Sequence, residues 1–154
     1  MEREAEQILN KNGLFQYEVS SWARDGRKSK HNMNYWMYGD YLGVGPGAHS
    51  KITTNDCIKR MIKLKKTSSY IHDPSKTTDT LITSEGYDLD LAMNLLRVKS
   101  GLSFDEIRKN NIHIQDSFLE KWQKGVEANL LEDEGLKATD MGYKFLNDTV
   151  NIFN

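Results

Sequence analysis

Apolar positions in the first fifty residues follow first a helical and then a strand-like spacing. The helical spacing predicts an amphipathic helix over residues 2–12, which Gly13 would end in the left-handed conformation. Apolar and polar residues then alternate across 14–20 and predict a strand. A short apolar stretch at 41–45 predicts a second, buried strand. One helix and two strands cannot close a sheet, so this pattern indicates the end of a larger α/β domain.

From residue 85 onward the pattern is mainly helical. Residues 130–139 predict two short strands about a turn at Gly135. Helices followed by a small hairpin and a last helix are typical of a winged-helix domain. The signals that begin or end these helices are capping residues and one glycine: Gly101, Ser103 with Glu106, Asp116 and Thr139.

Residues 51–84 carry the weakest pattern. A basic run, Lys59–Lys66, is interleaved with apolar residues, and it could meet the carboxylates of an anionic substrate or form a solvated face. The stretch after it, 72–86, predicts a linker with a proline turn and a helix cap at Thr83 or Ser84.

Composition narrows the functional classes. The chain has 154 residues, of which 38% are hydrophobic and 28% charged, with a formal net charge of −1. This balance disfavours a nucleic-acid partner, which would more often need a basic surplus. Cys57 is the single cysteine and can form neither an internal disulfide nor a multi-cysteine metal site. No apolar stretch approaches the roughly 20 residues of a membrane span, so we expect a cytoplasmic protein without one.

The densest group of candidate residues begins at His31, in the sequence HNMNYW. A neutral imidazole such as that of His31 can ligate haem iron, and the aromatic side chains nearby can line a planar macrocycle. The alternative is a histidine bonded to backbone beside two core aromatics. The candidate residues of this group are His31, Asn32, Tyr35 and Trp36.

A glycine run, residues 43–47, follows in the sequence GVGPGAHS. Glycines without side chains let a cofactor lie against the backbone and expose its N–H groups. Neither the spacing of a dinucleotide fingerprint nor that of a phosphate loop is present, and a simple glycine-rich turn is the alternative. His49 could orient a ligand by hydrogen bonding, whereas His72 and His113 lie in polar surroundings. The candidates here are Gly43, Gly45, Gly47 and His49.

Three stretches together resemble the radical S-adenosylmethionine proteins of the HemN/HemW family, the oxygen-independent coproporphyrinogen III oxidase-like proteins. The stretches are GLFQYEVSSWARDGRKSKHNMNYW, YLGVGPGAHS, and the C-terminal sequence from LLRVKSGLSFDEI to GLKATDMGYKFLNDTV. Their order is that of the C-terminal part of such proteins. The His31-Asn32-x-x-Tyr35-Trp36 pattern favours the haem-chaperone branch over the coproporphyrinogen oxidases.

The resemblance implies an α+β chain, with a terminal βα piece of an incomplete TIM-like barrel before a helical, winged-helix-like domain. By this resemblance, residues 1–58 are the end of the barrel, 59–84 connect, and 85–154 form the C-terminal domain. The glycine run and His49 would face S-adenosylmethionine. His31, Asn32, Tyr35 and Trp36 would face the haem or tetrapyrrole, with His31 as a ligand of the haem iron.

The resemblance also implies cofactors that this chain cannot hold alone. The family's Cys-x-x-x-Cys-x-x-Cys motif binds a 4Fe–4S cluster and would lie upstream of Met1, so we expect no radical chemistry from the chain by itself. No catalytic residue is assigned. The implied partners are haem and a haem-accepting protein, and cut barrel strands predict a homodimer through residues 14–48. A winged-helix-like protein-interaction module without catalytic activity is the alternative function.

Overall fold

A computed structural model of the chain describes residues 2–54 and 57–154. Within these ranges it contains eight helices and five strands. The helices are α1 (Glu2–Lys11), α2 (Lys30–Trp36), α3 (Thr67–His72), α4 (Ser84–Leu95), α5 (Phe104–Lys109), α6 (Asp116–Glu127), α7 (Asp140–Lys144) and α8 (Leu146–Asn151). The strands are β1 (Phe15–Glu18), β2 (Ser21–Ala23), β3 (His49–Thr53), β4 (Ile58–Lys63) and β5 (Thr77–Ile82).

The chain divides into two compact units. The first combines the residues up to Tyr38 with Asp88–Asn154, and the second is Gly39–Tyr87. The predicted functional boundaries at 58 and 84 follow the family resemblance, and they stay predictions.

The first unit opens with the predicted helix and strand. Helix α1 ends where expected, and Gly13 follows with a φ of 73°. The strand predicted over 14–20 is present as the shorter β1, which pairs antiparallel with β2 and has an irregular register between Gln16 and Glu18. Both sheets of the described chain are small and antiparallel, and no closed barrel is present among the described residues. The barrel piece is therefore not confirmed.

Helices α4 and α6 supply the core of the first unit. Leu91, Leu95 and Leu96 of α4 are almost completely buried. Phe118 and Trp122 of α6 stack with ring centroids 5.9 Å apart, and Phe153 lies 4.7 Å from Phe118. The aromatic cluster fixes the chain's last residues against α6 because these rings bury large apolar areas.

Two of the four helix signals predicted in the C-terminal half are confirmed, whereas Gly101 does not end a helix, because α4 already ends at Leu95. Ser103 and Glu106 form the capping box of α5, and Thr139 caps α7. Gln115, not Asp116, stands at the N-cap of α6. The hairpin over 130–139 is reduced to an isolated bridge between Leu131 and Ala138, so the winged-helix arrangement is not confirmed.

The second unit contains a three-stranded sheet in the order β3-β4-β5, with both pairs antiparallel. The strand predicted at 41–45 is wrong, because only Tyr41 makes a bridge there, to Lys51. Leu42 and Val44 are 76% and 87% exposed, so the apolar stretch is a surface loop. The linker predicted over 72–86 is also wrong, since it contains all of β5, whereas the helix cap predicted at its end is confirmed by the Gly86 N–H, which donates to the Thr83 hydroxyl at 3.3 Å at the start of α4.

None of the described helices combines the length and the apolar character that a membrane span requires.

Candidate functional site

The first candidate group lies on α2, a helix of seven residues that is fixed at both ends. Ser29 caps the N-terminus by accepting a hydrogen bond from the N–H of Asn32 at 3.2 Å. Just past its C-terminus Tyr38 has a φ of 60°, which is uncommon for a residue other than glycine. The Tyr38 hydroxyl donates to Asp90, a residue of α4.

His31 and Tyr35 lie one helical turn apart and form a pair on one face of α2. The Tyr35 hydroxyl is 2.9 Å from His31 Nε2, and the two rings meet edge to face with centroids 4.6 Å apart. His31 is exposed and Tyr35 is half-buried. A nitrogen that can ligate iron is thus presented at the surface, already engaged by a phenol.

Asn32 and Trp36 form a second pair, on an adjacent face of the same helix. The Asn32 side-chain amide donates to the Tyr17 hydroxyl at 3.3 Å. The guanidinium of Arg97 lies over the Trp36 ring at 4.3 Å from its centroid, within the range of a cation–π contact. The four residues predicted to face haem therefore divide into the His31–Tyr35 pair, whose imidazole is exposed, and the Asn32–Trp36 pair, which contacts Tyr17 and Arg97.

Arg97 in turn contacts a buried carboxylate. Its guanidinium is 3.6 Å from Glu18 Oε2, and Glu18 is 1% exposed. The other Glu18 oxygen accepts hydrogen bonds from the N–H and hydroxyl of Ser20. Tyr143, whose hydroxyl donates to the Arg97 carbonyl, lies in the same region. Burial, with a further contribution from the Glu18 charge, raises the pKa of Tyr143 well above its ordinary value, although Arg97 opposes this.

The second candidate group, the glycine run, uses its N–H groups within the chain. Gly43 N–H donates to the Ser50 hydroxyl at 2.9 Å, and Gly45 N–H to the Tyr70 hydroxyl at 3.1 Å. Gly47 N–H donates to the Leu64 carbonyl at 3.0 Å. These donors are consequently not available to a cofactor in this conformation, in contrast to the role that the sequence suggested for them.

The backbone itself accounts for the glycines. A Cβ on Gly43 would collide with the backbone of His49. Gly45 and Gly47 have φ values of 115° and 70°, which side-chain-bearing residues rarely adopt. His49, the first residue of β3, is exposed.

Asp40 closes the loop that contains the glycine run. Its carboxylate accepts hydrogen bonds from Thr53 N–H at 2.8 Å and from the buried ammonium of Lys51 at 3.1 Å. Partial burial of Asp40 would raise its pKa, but the hydrogen bonds from Thr53 and Lys51 outweigh this, and its pKa lies below the ordinary value. Beside the loop is a cleft of about 400 Å³, whose lining includes Leu42, Val44 and Tyr70.

The basic run Lys59–Lys66 is largely part of the sheet. Lys59 forms an ion pair with Asp79, and the Lys63 ammonium donates to the Pro74 carbonyl. These contacts favour the solvated-face interpretation of the run. His72 and His113 are exposed.

The donor set of this chain does not fit an iron–sulfur cluster. Cys57 is the only cysteine of the sequence, whereas a 4Fe–4S cluster needs several thiolates. Across 2–54 and 57–154, no three histidine, cysteine, aspartate or glutamate side chains are grouped so as to hold a metal ion. A single imidazole, such as that of His31, remains a fitting axial ligand for haem.

Comparison with curated proteins relates this chain to haem chaperones. It is 31% identical over 154 residues to the heme chaperone HemW of Buchnera aphidicola from Acyrthosiphon pisum, and 32% identical to that from Schizaphis graminum. In both cases the match covers 97% of this chain. The predicted resemblance to the HemN/HemW family is confirmed. A radical S-adenosyl methionine domain-containing protein 1 of Bos taurus is 53% identical over a shorter match of 51 residues.

The match covers only part of those relatives. The chain spans 41% of the length of the two HemW proteins. No protein-family model and no solved structure matches the chain significantly. Glu18 and Arg97 belong to no recognisable motif, and Glu18 occupies a polar position of the alternating stretch 14–20, so no sequence signal marked either of them.

Proposed function

We propose that this chain provides a haem-binding surface in a HemW-like haem chaperone, with His31 of α2 as the axial ligand of the iron. The observation that carries the proposal is the exposed His31, hydrogen-bonded to Tyr35, on a helix fixed at both ends. Such a helix presents the imidazole in a defined direction while leaving it accessible to a planar ligand. The homology to HemW proteins supports haem as that ligand.

Tyr35 has two roles in this proposal. Its ring flanks the position of the ligand, and its hydroxyl holds His31 Nε2 until iron replaces it. An exposed axial ligand with a competing hydrogen bond suits reversible binding, because the imidazole has an alternative partner once haem leaves. This property favours delivery to a haem-accepting protein over permanent retention.

S-adenosylmethionine and a 4Fe–4S cluster belong to the proposed longer protein, where the cluster would supply the electron for cleavage of the sulfonium. In this chain the glycine run and His49 are the proposed contact for S-adenosylmethionine. Because the three glycine N–H groups donate internally, this contact would use the Cα surface of the run and the cleft beside Leu42.

Titration of the purified chain with ferric haem tests the proposal. We expect His31→Ala to shift the haem absorption band and to weaken binding by about tenfold or more, equivalent to about 1.4 kcal/mol. His72→Ala is the matched control, since His72 is an exposed histidine of the second unit, and it should change neither quantity. An unchanged haem spectrum in His31→Ala would show that His31 is not the ligand. Equal changes of spectrum and affinity in His31→Ala and His72→Ala would show the same.

A further inference from the structure

Helix α2 is not held in place by a buried apolar face. It contains no fully buried residue, so apolar burial does not fix it in the way that it fixes α4. A helix of seven residues is not stable alone in water. Its direction must therefore depend on the specific side chains that contact it.

Three buried polar atoms lie where the second face of α2 contacts the rest of the first unit. Glu18 Oε2, Arg97 Nε and Trp36 Nε1 are each buried and lack a hydrogen bond within the described part of the chain. Buried polar groups normally have partners, and a buried ion pair adds little to stability compared with apolar side chains of the same size. Stability alone is thus a poor explanation for an arginine and a glutamate at this place.

The geometry of Glu18 and Arg97 gives a better explanation for their presence. Glu18 is held in β1, with its other oxygen bonded to Ser20, and it is a fixed anchor. Arg97, just after α4, extends from this anchor and lays its planar guanidinium on the Trp36 ring. A planar cation can satisfy a carboxylate at its edge and an aromatic ring at its face simultaneously, which a lysine ammonium cannot do in the same way.

We infer that Arg97, anchored by Glu18, is a positioning residue that orients α2 through Trp36 and thereby sets the direction of the His31 imidazole. The orientation of α2 follows from the structure of the chain itself. Its consequence for haem rests on the function proposed above. Arg97 touches neither His31 nor Tyr35 in any described contact, so it acts on the ligand only through the helix.

The first test needs no haem. Hydrogen exchange of the backbone N–H groups of residues 34–37 should be about tenfold faster in Arg97→Lys, because lysine keeps the charge but lacks the planar guanidinium that stacks on the Trp36 ring. Arg97→Lys keeps the charge that Glu18 requires, so the melting temperature should change little. Arg108→Lys is the control, because Arg108 is 78% exposed in its own ion pair with Asp105.

A second measurement connects the helix to the ligand. Arg97→Lys should shift the haem absorption band of the loaded chain toward that of His31→Ala and weaken binding severalfold, while Arg108→Lys should leave both unchanged. Unchanged exchange at residues 34–37 in a folded Arg97→Lys, or equal acceleration in Arg108→Lys, would overturn the inference.

The two proposals fail in different ways. If His31→Ala leaves the haem spectrum unchanged while Arg97→Lys accelerates exchange in α2, the haem function is wrong and the positioning role stands. If His31→Ala behaves as expected while Arg97→Lys changes neither exchange nor spectrum, Arg97 has a purely structural role and only the present inference is lost.

Discussion

Helix α2 and the glycine run carry the two candidate groups of this chain, and they are held in different ways. Helix α2 is fixed by side chains from distant parts of the sequence, among them Tyr17 and Arg97, and it leaves His31 exposed. The glycine run is fixed by its own backbone N–H groups, which donate to Ser50, Tyr70 and Leu64. Helix α2 leaves the imidazole of His31 exposed, whereas the N–H groups of the glycine run are all engaged in hydrogen bonds within the chain.

This contrast shows that two sequence motifs that both look like ligand sites, the glycine run and the His31 group, can have different physical causes. Glycines at 43, 45 and 47 are explained by close approach and positive φ without any ligand. No comparable folding requirement explains an exposed histidine bonded to a tyrosine on α2. The functional hypothesis is therefore better supported for His31 than for the glycine run.

The largest expected effect tests whether the backbone of the glycine run requires a glycine at position 43. Gly43→Ala should destabilise the protein by about 3 kcal/mol, because its Cβ would collide with the His49 backbone and the loop would have to shift. Urea denaturation followed by circular dichroism measures the loss.

Gly86→Ala is the matched control for that variant. Gly86 lies in α4, where a Cβ would make only an ordinary contact with the Thr83 side chain at 3.6 Å. We expect this variant to be neutral or more stable by about 0.5 kcal/mol, since alanine favours a helix. Equal losses in the two variants would mean that the approach to His49 is not what requires a glycine at position 43.

Local signals allowed much of the first unit to be predicted. Helix α1 with its glycine stop, the capping box of Ser103 and Glu106, and the Thr139 cap each depend on residues close together in sequence. Such signals fix where an element begins or ends without knowledge of the tertiary structure.

The errors lie where tertiary context decides. The stretch 41–45 looked like a buried strand, yet Leu42 and Val44 project from a loop whose shape the glycines impose. Strand β5 was missed because its sequence, TTDTLI, is mostly polar and exposed and shows no alternation. The role of Arg97 was not predictable, since it depends on a pairing with Glu18 and Trp36 that only the folded chain brings about.

A smaller effect tests whether the Tyr35 hydroxyl competes with haem iron for His31. Tyr35→Phe keeps the ring and removes the hydroxyl that holds His31 Nε2. Haem should bind about fivefold more tightly, because a hydrogen bond worth about 1 kcal/mol no longer has to break. Haem titration monitored by absorption measures the change.

Tyr70→Phe is the corresponding variant at the glycine run, since it removes the hydroxyl that accepts from Gly45 N–H. It should leave haem affinity unchanged. Weaker binding in Tyr35→Phe would contradict the competition and would instead indicate that the Tyr35 hydroxyl contacts the bound ligand.

The smallest expected effect concerns the charges behind α2. Burial and the Glu18 carboxylate raise the pKa of Tyr143 in the folded protein above its ordinary value of 10.0. The folded state thus holds this proton more tightly than the unfolded state, so its contribution to stability is complete below pH 10.0 and is lost as the pH rises through the folded pKa.

The difference in tyrosinate absorbance between the parent chain and Tyr143→Phe measures the titration of this one group. Glu18→Gln should lower the pKa of Tyr143 only part of the way, because burial is the larger cause and remains. If Tyr143 ionises at the same pH as the other tyrosines of the parent chain, neither burial nor the Glu18 carboxylate raises its pKa, and this prediction is wrong.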